Sequence, residues 1–181
     1  MINTVEALLF GAGRPLRLSE IRTLLESDGI SAELSDIKQC INQLEERFEL
    51  SSLEVTEVAS GFRLQIKKAF SPSLTHLWNE RTSRISKALM ETISIIAYKQ
   101  PVTRGDIEDI RGVSVSTQSI RTLLERNWIK VSGFKDAPGK PALYSTTKEF
   151  LDDLDMKSLS NLPELPDLIE TDQDQILSQV V

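Results

Sequence analysis

The chain has one cysteine, Cys40, and one histidine, His76, in 181 residues. A lone cysteine makes no internal disulfide, and nothing in the chain suggests export, so a reducing cytoplasm is the expected compartment. A lone histidine leaves a Ser-His-Asp triad or a multi-histidine metal site with a single residue to build on. His76 falls in a stretch that reads as a linker helix, with no partner signature beside it. Cys40 adjoins Ile41 in an apolar helical stripe, where a small buried hydrophobe fits better than a nucleophile. No apolar run approaches the roughly 18–20 residues that cross a bilayer. The start, Met1-Ile2-Asn3-Thr4-Val5-Glu6, lacks the basic region and small-residue cleavage site of a signal peptide. Membrane association is not expected.

Glycine is sparse, and no glycine-rich phosphate cradle is visible. The loop Pro138-Gly139-Lys140-Pro141 has one glycine, while its two prolines remove two amide donors, and it leads into a strand rather than a helix. It reads as a stiff tip. Among the carboxylates, Glu20, Asp106, Glu108 and Asp109 draw attention, and Asp106 and Asp109 share a helix face at i, i+3. No third ligand accompanies them, and acidic groups near a helix start are favoured by the helix dipole. The chain therefore reads as non-enzymatic, without a catalytic site, metal or cofactor.

Excess charge of one sign is lacking in the body and concentrated at the end. Net charge is −6 overall, yet residues 1–150 sum to +1 and residues 151–181 to −7, with Lys157 the only basic residue there. Residues 1–80 are net −4 and residues 86–150 net +3. No strong basic footprint marks a dedicated nucleic-acid binder.

What is there is a repeat. Pro15-Leu16 and Pro101-Val102 stand 86 residues apart, as do Glu20 and Asp106, and Ile21 and Ile107. Each proline follows an apolar pattern of helical period: Val5, Leu8, Leu9, Ala12 in one half, Leu89, Ile93, Ile96, Ala97 in the other. Each opens an extended dipeptide, then a capping residue, Ser19 or Thr103, and a short second helix. A third helix follows, carrying Ile37, Ile41, Leu44 and Phe48, or, after Ser114 or Ser116, Ile120, Leu123, Leu124 and Trp128. Alternation then predicts a hairpin in each half: Leu53–Val58 returning as Phe62–Ile66 through Ser60-Gly61, and Ile129–Phe134 returning as Ala142–Thr146.

Three helices, a brief extended stretch and a terminal hairpin make a winged helix. The expected fold is mainly α with small β wings (α+β), as tandem winged-helix domains. The first would span 1–80 with a linker helix over Phe70–Trp78 and a polar hinge at Asn79–Ser83; the second would span 81–160 with a closing helix from Lys148. Residues 161–181 would be an acidic, disordered tail.

Winged helices often read DNA with the third helix. In the first module that helix carries Lys38 and Arg47 against Glu33, Asp36, Glu45, Glu46 and Glu49, a net −3 that phosphates would repel. The second is mildly basic, and weak or indirect DNA contact there would use Arg121, Arg126, Lys130, Lys135 and Lys140. The alternative reading, a winged-helix DNA-binding transcription regulator, requires a basic third helix.

Five blocks in the segment Leu89–Phe150 carry a further signal: Ile95-Ile96-Ala97-Tyr98-Lys99-Gln100-Pro101-Val102-Thr103-Arg104, Ile110-Arg111-Gly112-Val113, Arg121-Thr122-Leu123-Leu124-Glu125-Arg126, Lys135-Asp136-Ala137-Pro138-Gly139-Lys140-Pro141 and Tyr144–Leu151. In these residues and their spacing the segment resembles the bacterial segregation and condensation protein B family. Glu6-Ala7-Leu8-Leu9-Phe10 and the Pro15-Leu16 turn extend it weakly into the first half. Lys140 stands where the family commonly has arginine, Ser145 where it commonly has glycine, and Ser114–Thr117 diverges. The resemblance implies a homodimer joined through the first modules. It also implies binding to the kleisin, segregation and condensation protein A, and through it to an SMC ATPase that compacts and partitions chromosomes at the nucleoid during cell division. On that reading the second module meets the kleisin through the exposed part of Ile95–Arg104, with Tyr98, Lys99, Gln100 and Arg104, and through Tyr144.

Overall fold

A computed structural model describes residues 1–75 and 85–164. The expected hinge, His76 and the tail from residue 165 onward lie outside the described residues.

The first half begins with α1 (Ile2–Ala12), α2 (Leu18–Ser27) and α3 (Leu34–Arg47), then the strands β1 (Leu53–Val58) and β2 (Gly61–Ile66). A 3-10 turn, Lys68–Phe70, and a short α4 (Ser71–Thr75) follow. α1 ends where Gly13 takes a left-handed conformation at φ 62°, which needs no Cβ penalty. Leu16 then runs antiparallel to Phe62, each amide donating to the other's carbonyl at 2.8 Å. This approach is so close that a Cβ on Gly61, itself at φ +141°, would lie 2.2 Å from the Leu16 carbonyl oxygen.

One expected cap is corrected. α2 starts at Leu18 with extended Arg17 as its cap, not Ser19. The Arg17 carbonyl already accepts from Glu20 and Ile21 at 3.0 and 2.9 Å, which places Ser19 inside the first turn. One apolar stripe per helix meets beneath the hairpin: Val5 and Leu9, Ile21 and Leu25, and Ile37, Ile41 and Leu44 are all essentially inaccessible, with Leu16 and Phe62 closing the sheet side. Each such side chain stabilises the fold by about 1.5–3 kcal/mol relative to exposure. Cys40 is buried in this cluster, as its neighbours require.

The second half repeats the order as α5 (Lys87–Lys99), β3 (Val102–Thr103), α6 (Arg104–Arg111), α7 (Thr117–Glu125), β4 (Ile129–Phe134) and β5 (Ala142–Thr146), closed by α8 (Lys148–Asp153) and a 3-10 turn, Leu159–Asn161. Here the extended dipeptide is a true edge strand, giving an antiparallel sheet of order β3-β5-β4. Every helix start has a side-chain cap. The Ser86 hydroxyl accepts from the Leu89 amide at 3.2 Å, Ser116 from Ser119 at 3.0 Å and Thr147 from Phe150 at 3.3 Å. Of the two serines before α7, the cap is Ser116. Thr103 and Asp106 make a reciprocal capping box: Thr103 Oγ1 accepts from the Asp106 amide at 3.2 Å, and Asp106 accepts from the Thr103 amide at 2.8 Å. A second buried cluster gathers Ile93, Ile96, Ile107, Leu123, Trp128 and Phe150. Trp128 meets Phe150 edge to face at 5.9 Å, and its indole N–H donates to Asp153 at 2.7 Å.

The β1–β2 hairpin of the first half rests against the last turn of α8 and the segment that follows it. The Ala59 amide donates to the Met156 carbonyl and the Ser60 amide to Asp152 Oδ1, both at 3.0 Å. Arg63 and Lys68 both pair with Asp155, and Lys157 pairs with Glu57 at 2.7 Å.

Candidate partner-binding surfaces

The five residues expected to meet a partner divide between presented and engaged side chains. Lys99 is exposed at the end of α5. Arg104 is exposed at the start of α6, where Nε donates to Glu108 at 3.0 Å and Nη1 to the Thr117 hydroxyl at 3.2 Å. The Val115 amide, at 2.8 Å, and then Arg104 hold the Glu108 carboxyl below its ordinary value. Gln100 instead clamps the end of β5: its Oε1 accepts from the Thr146 amide at 2.8 Å and its Nε2 donates to the Thr146 hydroxyl at 3.0 Å. Tyr144 lies mid-sheet opposite Val102 and Val131, packed against the core at its margin. The Tyr98 hydroxyl donates to the Pro163 carbonyl at 2.6 Å.

The cations considered for DNA contact are largely compensated. Arg121 pairs with Glu125 at 2.8 Å and Lys135 with Asp106 at 2.9 Å, while the Arg126 guanidinium lies 5.5 Å from the centre of the Trp128 ring. Lys130 and Lys140 are exposed on β4 and at the hairpin tip. Lys135, together with amide and hydroxyl donation from Thr103, lowers the Asp106 carboxyl to about 2. On α3 of the first half, Arg47 pairs with Glu6 at 2.8 Å, and Lys38 lies 3.8 Å from Glu57 and 4.4 Å from the Phe62 ring centre. Neither is spare for phosphate. Among the described residues no three His, Cys, Asp or Glu side chains converge as a metal site would need, and no helix is long and apolar enough to cross a membrane.

Two apolar surfaces stand out that residue patterns did not single out. On α1, Phe10 is 71% exposed, beside a shallow depression shared with Ala7, Arg47, Leu53 and Leu64. A signal for it existed: Phe10 falls outside the stripe of Val5, Leu8, Leu9 and Ala12. The other is a groove along α5, lined by Lys87, Met90, Glu91, Ser94, Ile95 and Arg111. Ile95 is the one member inside the segment expected to face a partner. Arg111 reaches the groove from the end of α6, which no local pattern on α5 announces.

Two winged helices with exposed apolar faces and internally balanced charge define a tandem winged-helix protein suited to docking other proteins. Residues 3–165 match the family described as segregation and condensation complex subunit ScpB, and the chain belongs to that family. It is similar to the segregation and condensation protein B homolog of Coxiella burnetii, 43% identical over 169 residues, covering 93% of this chain and 80% of that protein. The segregation and condensation protein B of Clostridium tetani is 37% identical over 176 residues, 96% of this chain and 90% of that one. Among solved structures, ScpB from Mycobacterium tuberculosis is 26% identical, over 84% of this chain and 93% of that chain, with a TM-score of 0.38. A dimer of an ScpB N-terminal domain complexed with ScpA peptide is 32% identical, over 42% of this chain and 91% of that chain, also with a TM-score of 0.38.

Proposed function

We propose that this chain is a non-catalytic adaptor: a homodimer that binds the kleisin of a bacterial SMC complex in the cytoplasm, at the nucleoid, and takes part in chromosome condensation and segregation. The observation that carries this reading is membership, across residues 3–165, of a family of segregation and condensation complex subunits. The two halves act as units, residues 1–80 for dimerisation and 81–160 for the kleisin.

The Phe10 face supplies the dimer contact, because burying an exposed aromatic against its own copy removes the largest apolar side chain on α1 from water. In the second half, Lys99 and Arg104 are presented to the kleisin. Tyr98, Gln100 and Tyr144 shape that surface through their bonds to Pro163 and Thr146 and their place in the sheet. DNA contact, where it occurs, is weak and falls on Lys130 and Lys140, because Arg121 and Lys135 are already paired with carboxylates. That pairing weighs against a transcription regulator, which needs a spare basic surface.

Light scattering after size exclusion, on the chain alone and with the kleisin of the same genome, tests the reading. A dimer that joins the kleisin in a stable complex supports it. A monomer that ignores the kleisin overturns it, and salt-sensitive, sequence-preferring DNA binding at nanomolar concentration would put the regulator in its place.

A further inference from the structure

The seam between the two halves is held by hydrogen bonds and charge, while the apolar cores stay separate. Among the described residues, the buried cluster of the first half and its packed neighbours lie within residues 2–64, and those of the second within 85–162. Neither cluster borrows a side chain from the other. Where the halves face each other they leave an open cleft of about 330 Å³, with Arg14, Arg63 and Leu64 on one wall and Glu149, Asp152 and Asp153 on the other. The contacts that bridge the seam are polar. The Ala59 and Ser60 amides donate to Met156 and Asp152, Arg63 and Lys68 pair with Asp155, and Lys157 pairs with Glu57. Water can replace each of these partners when the halves part, so parting exposes no core.

Glu57 sits between two cations that belong to different halves. Its Oε2 accepts from Lys157 at 2.7 Å and lies 3.8 Å from Nζ of Lys38 on α3 of its own half. Lys38 is also seated 4.4 Å from the Phe62 ring centre, so it stays beside Glu57 whether or not Lys157 is there. A carboxylate with a second cation on its own half can release the first at little cost. Lys157 and Lys68 are 60% and 77% exposed, so dissolved ions reach both bridging lysines. Screening then acts on them directly, because the Debye length shrinks from about 30 Å at 0.01 M salt to about 3 Å at 1 M.

We propose that the β1–β2 hairpin tip and residues 152–157 form an electrostatic clasp with two positions, switched by ionic strength. Closed, the clasp fixes the two halves in one orientation, and so holds Phe10 of the first half and the Lys99–Arg104 surface of the second in a constant relation. Open, Glu57 pairs with Lys38 alone, the Ala59 and Ser60 amides face water, and each half turns independently on its own intact core. The proposal goes beyond the adaptor reading and stands whether or not the chain binds a kleisin.

Residual dipolar couplings of the full chain, weakly aligned in an uncharged gel, test it, because two halves in fixed relation share one alignment tensor. At about 0.01 M salt one tensor should fit the amides of α1–α3 and α5–α7 together, and at about 1 M each half should need its own. E57K and K157E should each need two tensors already at low salt, and the charge-swapped E57K/K157E chain should recover one. Couplings within each half should fit the same local structure throughout, which separates opening from unfolding. One shared tensor at both salt concentrations in the wild type overturns the switch, and two tensors at low salt overturn the closed position. Failure of the swapped chain to recover one tensor overturns the assignment of the clasp to the Glu57–Lys157 pair. Recovery on mixing the E57K chain with the K157E chain overturns the clasp as a contact within one chain and assigns it to two copies.

Discussion

Arg63 on β2 donates to the carboxylate of Asp155, ninety-two residues downstream, so the hairpin of the first half is fastened to the loop that follows α8 of the second. Lys68 reaches the same carboxylate at 2.7 Å, and Asp155 holds a left-handed backbone at φ 55°. Two cations on one carboxylate, with the Ala59 and Ser60 amides donating beside them, make this contact a latch between the halves.

Removing its charge should loosen the latch without unfolding either half. Asn tolerates the left-handed backbone as Asp does, so Asp155→Asn isolates the electrostatic part, worth about 1.5–3 kcal/mol for a hydrogen bond to a charged acceptor. Hydrogen exchange should quicken at Ala59 and Ser60 while the amides of α3 keep their protection. Unchanged exchange at those two amides would show that the latch does not depend on the carboxylate.

Acid should open the same contact. Burial raises the Asp155 carboxyl, but hydrogen bonds and charges from Lys68 and Arg63 outweigh it and leave the group below its ordinary value. A depressed folded value means that the stabilisation is fully present above the ordinary carboxylate range and is lost as pH falls through the folded value. Protection of Ala59 and Ser60 should therefore persist through neutral and mildly acidic pH and fall only below about 4.

The Asp106 carboxyl should titrate near 2 when followed by carboxyl carbon chemical shift. Its largest cause is the hydrogen bond from Lys135, so Lys135→Ala should raise the midpoint, while the Thr103 amide and hydroxyl keep it below an ordinary aspartate. A midpoint unmoved by the substitution would show that the Lys135 pair is not populated in solution.

Losing the Thr103 hydroxyl removes the acceptor for the Asp106 amide at the start of α6. Thr103→Ala should lower the stability of the second half by about 1 kcal/mol, read from its denaturant midpoint at unchanged slope. The first half, whose core does not include Thr103, should keep its midpoint.

Gly61→Ala tests the opposite end of the scale. Its Cβ would meet Leu16 backbone atoms at 2.2 and 2.4 Å, and backbone cannot step aside as a side chain can. A loss of about 3 kcal/mol or more in the first half is expected. A near-neutral outcome would mean that the Leu16–Phe62 bridge is not held in solution.

Local order was largely written in the residues. Apolar spacing of three and four placed Ile37, Ile41 and Leu44 on one stripe, alternation placed both hairpins, and a proline after each first helix marked the extended dipeptide, because these signals act within a few residues. The α2 cap was misread since Ser19 is a good capping residue by type, but the chain leaves its extended conformation two residues earlier, at Arg17. Lys38, Arg47, Arg121 and Lys135 could be named as cations from sequence; whether each is spare or paired depends on contacts such as Arg47–Glu6, 41 residues apart, and Lys135–Asp106, 29 apart. By itself the sequence determined the repeat, the winged-helix elements and the family. Only the tertiary structure decided that the Arg63–Asp155 latch exists and that Arg111 walls a groove on α5, because those relations join side chains whose separation along the chain carries no periodic signal.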